Sequence, residues 1–429
     1  MSSSSLAQRL AARFSWYRFV VFGALATGYL LVFFHRLCPA VVAVDMMADL
    51  GASAGLMGLL ASAYFYPYAI MQIPSGLLAD SWGPRKTIAA FFLFAAVGSA
   101  LLGLAQGPGL AVLGRALVGV GVAMLFVPTT KILTRWFTAR EFASMTGLLL
   151  AAGGIGALSA ATPLALLSKA VGWRWSFELI AGLTLLMSGV IWLLVRDDPE
   201  DVGLHRPAPV KTKAGAPQGL RQSITTVLGA AAFWPLASWF FFTCGVFFCM
   251  GGLWGGPYLM HVYAMGKAEA GAVLSMGAVG QILGGPFLSY LSDRLLRSRR
   301  KALLLSSLTQ LLLVAPLGLY PDLLPRWALF PWFLLFAISG TSSVSIGFTA
   351  IKENFPTRIA GTAAGLVNFF PFLAGALLQP VVGCVLESFG KTASGYPVAA
   401  YGVMFYLYGG CALLALVSAA LVKETYGAH

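Results

Sequence analysis

Two arginines stand inside long apolar runs of this chain: Arg36 in GALATGYLLVFFHRLCPAVVAV and Arg115 in GLAVLGRALVGVGVAMLFV. A charge placed that deep in an apolar segment is costly and marks function by default. A guanidinium offers a planar fork that grips a carboxylate or phosphate through two parallel hydrogen bonds. Arg36 lies about 19 residues, roughly 28 Å, from the start of its helix, and Arg115 about 22 residues, roughly 33 Å, from the end of its own. If the two helices run in opposite directions, both arginines reach similar depth. Next to Arg36 is His35, whose imidazole is poised to titrate near neutral pH or is satisfied by a neighbouring helix.

The remaining charges are few and clustered. Gly76–Lys86 reads GLLADSWGPRK, a short charged hairpin between two apolar runs, with Asp80 before the turn and Arg85 and Lys86 after it. A weaker copy, SYLSDRLLRSRRK, spans Ser289–Lys301 and carries Asp293. A charged hairpin that recurs once in a hydrophobic chain points to duplication. Lys131, near the end of the fourth apolar run, either attracts an anion or snorkels to the interface.

What positions these residues follows from composition. Of 429 residues, 59% are hydrophobic and only 10% charged, where a soluble domain carries about 25%. Mean hydropathy is +0.82. Runs of the ~20 residues needed to cross hydrocarbon recur throughout, and backbone satisfaction in lipid makes them helices. The net charge of +13 sits in short loops and at run ends, as topology determinants do, so no nucleic-acid partner is expected. The five cysteines show no CxxC and no clustering with histidine, so neither a disulfide framework, a metal site nor a cofactor is indicated. No HExxH, Gly-x-Ser-x-Gly or nucleotide-binding loop is present, so the chain is not expected to be an enzyme.

Twelve helices are expected: 17–46, 54–79, 86–105, 109–136, 141–169 and 175–195, then 231–260, 269–291, 301–320, 328–353, 358–388 and 398–422. The polar, proline-rich stretch between them divides the chain into a first bundle (1–195), a solvated linker (196–230) and a second bundle (231–429). Lysine and arginine gather on the side that holds both termini and the linker, which places that side in the cytoplasm. The N-terminal stretch is read as retained.

Six plus six helices, a cytoplasmic linker and a charged 2–3 hairpin with a degenerate 8–9 copy resemble the major facilitator superfamily over essentially the whole chain. Gly76-x-Leu78-Ala79-Asp80-x-x-Gly83-x-Arg85-Lys86 matches that family's loop motif, and Arg115-x-x-x-Gly119-x-Gly121 its fourth-helix motif. The fifth helix has the glycines of a further motif (Gly147 to Gly156) but lacks the Gly-Pro pair typical of drug/proton antiporters. Within the family the chain is similar to the organic anion/cation symporter branch, through Phe34-His35-Arg36, Val127-Pro128-Thr129-Thr130-Lys131 with Arg135-Trp136-Phe137, Phe355-Pro356-Thr357-Arg358, and Gly365-Leu366-Val367-Asn368.

The resemblance implies an all-α membrane protein: twelve transmembrane helices in two pseudo-symmetric six-helix bundles, multi-pass in the inner membrane of a bacterium, monomeric, surrounded by lipid. It implies secondary active transport of a small carboxylate-bearing anion by alternating access, with a proton as coupling ion. Proton-coupled export of amphiphilic compounds and carriage of a siderophore or metallophore are the alternatives. Helices 1 and 4 line the cavity in this family, so Arg36 and Arg115 are candidates to clamp the anion; Arg115 also serves as a candidate for proton coupling, as does His35. The carboxylates that the branch often places beside the two arginines are replaced here by His35 and Val122. Tyr64 and Tyr68, spaced one turn apart with Gln72, line the cavity or pack against helix 11. Trp254 and Tyr258 of helix 7, Ser342 of helix 10 and Asn368 of helix 11 complete the expected site. Helix 7 has no arginine, which speaks against phosphate exchange. Asp80, Arg85, Arg135 and Asp293 are expected to gate, with Asp80 meeting Arg135 or the start of helix 11 near Thr357.

Overall fold

The computed structural model describes residues 3–204, 220–392 and 395–427. Among these the chain is helical, with one isolated bridge between Thr392 and Gly395. Eleven helical runs are long and apolar enough to cross a membrane. The longest, Ser144–Leu194, has 51 residues, roughly 77 Å of helix against a hydrocarbon core of about 30 Å. It is turned at Gly172, whose φ of +82° suits a residue without Cβ. That break divides the run into span 5, which starts at Ala139, and span 6, which ends at Leu194, and brings the spans to twelve.

Several spans are interrupted along their length, and in four of them proline explains where. Span 1 is Ser3–Leu37 followed by Pro39–Asp49; span 2 is Ala54–Ser62 followed by Phe65–Ser81. Span 4 joins Pro108–Ala123 to Phe126–Trp136, and span 11 joins Thr357–Val367 to Phe369–Ser388. Each interruption lies within four residues before a proline (Pro39, Pro67, Pro128, Pro371), whose missing N–H leaves a carbonyl one turn earlier without its helical partner. Span 7 (Phe233–Cys249 and Gly255–Val262) instead contains a π turn at Met250–Trp254. Span 10 (Leu329–Ser339, then Val344–Asn354) breaks at Gly340. Spans 3, 8, 9 and 12 are Pro84–Gly103, Lys267–Tyr290, Arg299–Leu319 and Val398–Leu421.

The packing repeats after six spans. Spans 3 and 6, 1 and 5, and 2 and 4 pack together, and so do 9 and 12, 7 and 11, and 8 and 10. Between the halves, span 2 packs on 11 and span 5 on 8, which exchange under the same shift. The duplication read from the two hairpins is therefore present in the packing.

Residues 195–204 depart from the expected solvated linker. Tyr17 donates to the Leu194 carbonyl (2.7 Å), Trp136 Nε1 to that of Arg196 (2.9 Å), and Arg135 pairs with Asp198 (2.8 Å). Asp197 caps the start of span 3 by accepting the Arg85 N–H at 2.7 Å. Burial pushes its carboxyl above the usual range, against the pull of that N–H and of Arg135. The stretch is thus stapled to the first half, and on the other side of residues 205–219 a further helix, Leu220–Gly229, buries Val227.

Among the described residues, every hydrogen bond and ion pair between the two halves lies toward the end away from this linker. Lys267 pairs with Asp45 and bonds Ser168 (3.2 Å); the Gly55 N–H donates to Glu387 (3.0 Å) and the Ala54 N–H to Tyr396 Oη (3.1 Å). Backbones touch here too: a Cβ on Gly256 would overlap the Ala40 carbonyl, and one on Gly383 the Ala54 carbonyl. In lipid such small-residue contacts are what brings helices together.

Candidate functional site

At mid-depth, where the two halves meet, Arg36 ends the first piece of span 1 and is buried. Its guanidinium carbon lies 4.5 Å from the ring centre of Phe33, 5.0 Å from Tyr68, 5.1 Å from Phe372 and 5.9 Å from Phe248. The last two belong to the second half, so this one cation is enclosed by both. Its Nε donates to Tyr64 Oη at 3.4 Å. Among the described residues no carboxylate approaches it and no group accepts from its two terminal nitrogens. Aromatic faces return about 0.5–2 kcal/mol each to a cation, while burying an ion costs several kcal/mol. A complementary anion would use the unoccupied fork.

Arg115 takes a different place from the one expected. It is 1% exposed and donates Nη1 to the His35 carbonyl at 2.7 Å. That carbonyl is the one that Pro39 leaves without a helical donor, so Arg115 supplies the missing hydrogen bond to span 1, one residue before Arg36. Its Nε and Nη2 are buried without partners. Both arginines touch Tyr64: the Arg115 carbon lies 5.0 Å from its ring centre, and Arg36 donates to its hydroxyl. Arg115→Met would leave the buried His35 carbonyl with only the weak bond from the Cys38 thiol at 3.4 Å, at a cost of up to about 1–3 kcal/mol. The expected order of melting temperature and of uptake rate is wild type, then Arg115→Lys, which keeps a donor, then Arg115→Met.

His35 is fully buried and bonds Thr184 Oγ1 on span 6 at 3.1 Å, so it faces the interior of the first half and not Arg36's aromatic box. Tyr64 and Tyr68 stack at 5.5 Å, with Tyr68 4.3 Å from Phe372 on span 11. Trp254 and Tyr258 are corrections: they are sealed inside the second half, bonded to the carbonyls of Gln379 (3.1 Å) and Pro321 (2.6 Å). The π turn inserts an extra residue into its helical turn and so rotates this face away from the centre. Ser342 is also a correction. Its hydroxyl bonds the Gly280 carbonyl at 3.0 Å and fastens span 10 to span 8. Asn368, half-buried, sits at the interruption of span 11.

The expected gating residues are engaged within their own halves. Asp80 pairs with Lys131, which also donates to the Ala79 carbonyl (2.8 Å); Arg135, expected opposite Asp80, holds Asp198 instead. Lys131 is therefore neither a lure for anions nor a free snorkel in this state. The side chain of Thr357 lies outside the described residues. Arg85 stacks on Trp192 (4.8 Å), and Asp293 pairs with Arg299, which also reaches Glu353 at 3.2 Å.

Phe33, Phe248 and Phe372 were not singled out in the sequence. Phe33 had a signal: residues 33 and 36 fall on one helix face.

A family model of the Major Facilitator Superfamily matches residues 25–379 and 256–426. The chain belongs to this superfamily. It is 25% identical over 400 residues to a probable sulfoacetate transporter of Cupriavidus necator, covering 87% of this chain and 88% of that one. It is also 25% identical over 430 residues to a probable galactarate/D-glucarate transporter of Escherichia coli K12, covering 91% and 90%. Among solved structures, a D-xylose–proton symporter superposes with a TM-score of 0.78 at 15% identity, over 96% of this chain and 99% of that one. A bacterial homologue of the human lysosomal transporter Spinster gives 0.75 at 20% identity, over 94% and 96%.

Proposed function

We propose that this superfamily member is a secondary active carrier that imports a small organic anion together with protons across the inner membrane of a bacterium, with both termini and the linker in the cytoplasm. The observation that supports it is Arg36: a buried guanidinium at the junction of the two halves, boxed by aromatic rings from both, with no carboxylate beside it among the described residues. An anion completes that site, and because both halves contribute to it, the anion senses their relative motion. The relatives above are named as transporters of organic anions. Basic residues favour the cytoplasm, so on this reading the end without hydrogen bonds between the halves faces inward and is the end that opens there in an alternating-access cycle. Residues 1–195 and 231–429 are the bodies that rock.

Export of amphiphiles is the second reading: Phe247 and Phe248 of span 7 face the junction, while Trp254 and Tyr258 bond within the second half. Flux tests the reading. Sealed vesicles containing the protein are given labelled sulfoacetate, galactarate or D-galactonate, with the outside acidic. Accumulation above equilibrium that collapses with a protonophore is expected for one of these acids. Equal accumulation with and without the proton gradient would remove the coupling; binding without flux would remove the carrier.

A further inference from the structure

Opposite Arg36, the second half presents a polar pair that none of the preceding roles uses. Gln281 of span 8 donates Nε2 to Thr341 Oγ1 of span 10 at 3.0 Å, and its own Oε1 is buried with no partner. The Thr341 hydroxyl accepts this bond and, among the described residues, donates none. A threonine hydroxyl can donate one bond while accepting another, so the pair holds one spare acceptor and one spare donor side by side. A buried carbonyl oxygen left without a partner costs about 1–3 kcal/mol, so such a pair is built for an occupant.

Its position fits the site at the centre. Leu283, Phe287 and Tyr290 form the exposed, lipid-facing side of span 8, and Gln281 is about 200° around the helix from Leu283, facing inward. Gln281 follows Gly277 by one turn. Gly277 lines an apolar cleft between the halves together with Leu37, Phe247, Gly251, Phe333 and Phe336. On span 10, Thr341 opens the short turn that follows the Gly340 break, where Gln281 meets it. Depth agrees as well. A Cβ on Gly153 of span 5 would touch Phe33 and Tyr29, and one on the adjoining Gly154 would touch Ile282, the neighbour of Gln281. The pair therefore faces the level of the Arg36 box from the opposite half.

We propose that Gln281 and Thr341 form a hydroxyl-reading subsite: a cargo hydroxyl donates to Gln281 Oε1 and accepts from Thr341 Oγ1, while Arg36 holds the carboxylate. This rests on the anion-carrier reading and narrows the cargo to hydroxylated acids. A site that pairs with a hydroxyl rejects the analogue lacking it, because its polar groups are then left buried and unpaired.

The test uses probes matched in length and charge: galactarate against hexanedioate, and glycerate against propionate, competing for binding to the purified full-length protein. The wild type should prefer each hydroxylated acid at least about tenfold. In Gln281→Leu, and separately in Thr341→Val, which is nearly isosteric and guards against misfolding of the first, the ratio should fall toward one. Arg36→Ala should weaken all the acids together. Equal affinity for both members of each pair in the wild type, with binding still dependent on Arg36, would overturn the subsite and leave the anion reading intact. So would a ratio that stays unchanged in a folded Thr341→Val. Binding of neither member in an Arg36-dependent way would overturn both.

Discussion

Arg36→Ala is expected to reduce anion uptake by roughly thirty-fold to several-thousand-fold while the protein still folds and inserts. The magnitude follows from removing one member of a buried charge pair, about 2–5 kcal/mol, at 1.4 kcal/mol per factor of ten. Folding should survive because the side chain closes no ion pair among the described residues and makes one long hydrogen bond, to Tyr64 at 3.4 Å. Relieving an uncompensated buried charge should even raise the melting temperature of the empty protein. Arg36→Lys keeps the charge but loses the fork and the flat face that four aromatic rings surround, so it should fall between. Labelled-acid uptake into vesicles, normalised to inserted protein, checks the order wild type, Lys, Ala.

The second large effect belongs to the end away from the linker. Gly256→Val forces a side chain into the Ala40 carbonyl, a backbone atom of the opposite half that cannot rotate aside. Overpacking costs about 1–3 kcal/mol, and under the proposed alternating access it falls on one of the two states alone, since spans 1 and 7 would part at this point when this end opens. A bias of that size changes the ratio of states by roughly five- to 150-fold. Spin labels at the exposed Ala48 and Lys391, one on each half, should show a longer distance population in Gly256→Val and slower uptake. An unchanged distance distribution would mean that the contact at Gly256 does not hold the outer side shut.

Much of this was legible in the sequence, for physical reasons. The need to satisfy the backbone inside lipid makes a helix the one available form for each apolar run, and the paired hairpins around Asp80 and Asp293 exposed the duplication. Arg36 was legible because a charge stands out against hydrocarbon. Its aromatic box was not: Phe248 and Phe372 look like any other apolar residue of a buried span, and nothing local shows which rings meet across two halves. The contrast between Arg36 and His35 has a similar origin. Neighbouring residues differ by 100° on a helix, and the Pro39 break leaves the rotation open until span 6 supplies Thr184. Trp254 and Tyr258 went astray through a π turn that no residue type announces. Arg115 stood out in the sequence, but its depth alone could not tell a cavity from a carbonyl that Pro39 had stripped of its helical donor. Asp80 was paired with Arg135 by charge logic; Lys131, one helical turn earlier on the same helix, was the nearer cation.

Thermal unfolding of the purified protein against a panel of organic anions and lipophilic cations, with Arg36→Ala alongside, tests the central claim most directly, because a ligand that binds the folded state stabilises it by RT ln(1 + [L]/Kd). The expected result is a rise in melting temperature with one class of carboxylate or sulfonate that disappears in Arg36→Ala, with no response to the cations. Stabilisation by lipophilic cations, equal in both proteins, would contradict an anion site at Arg36.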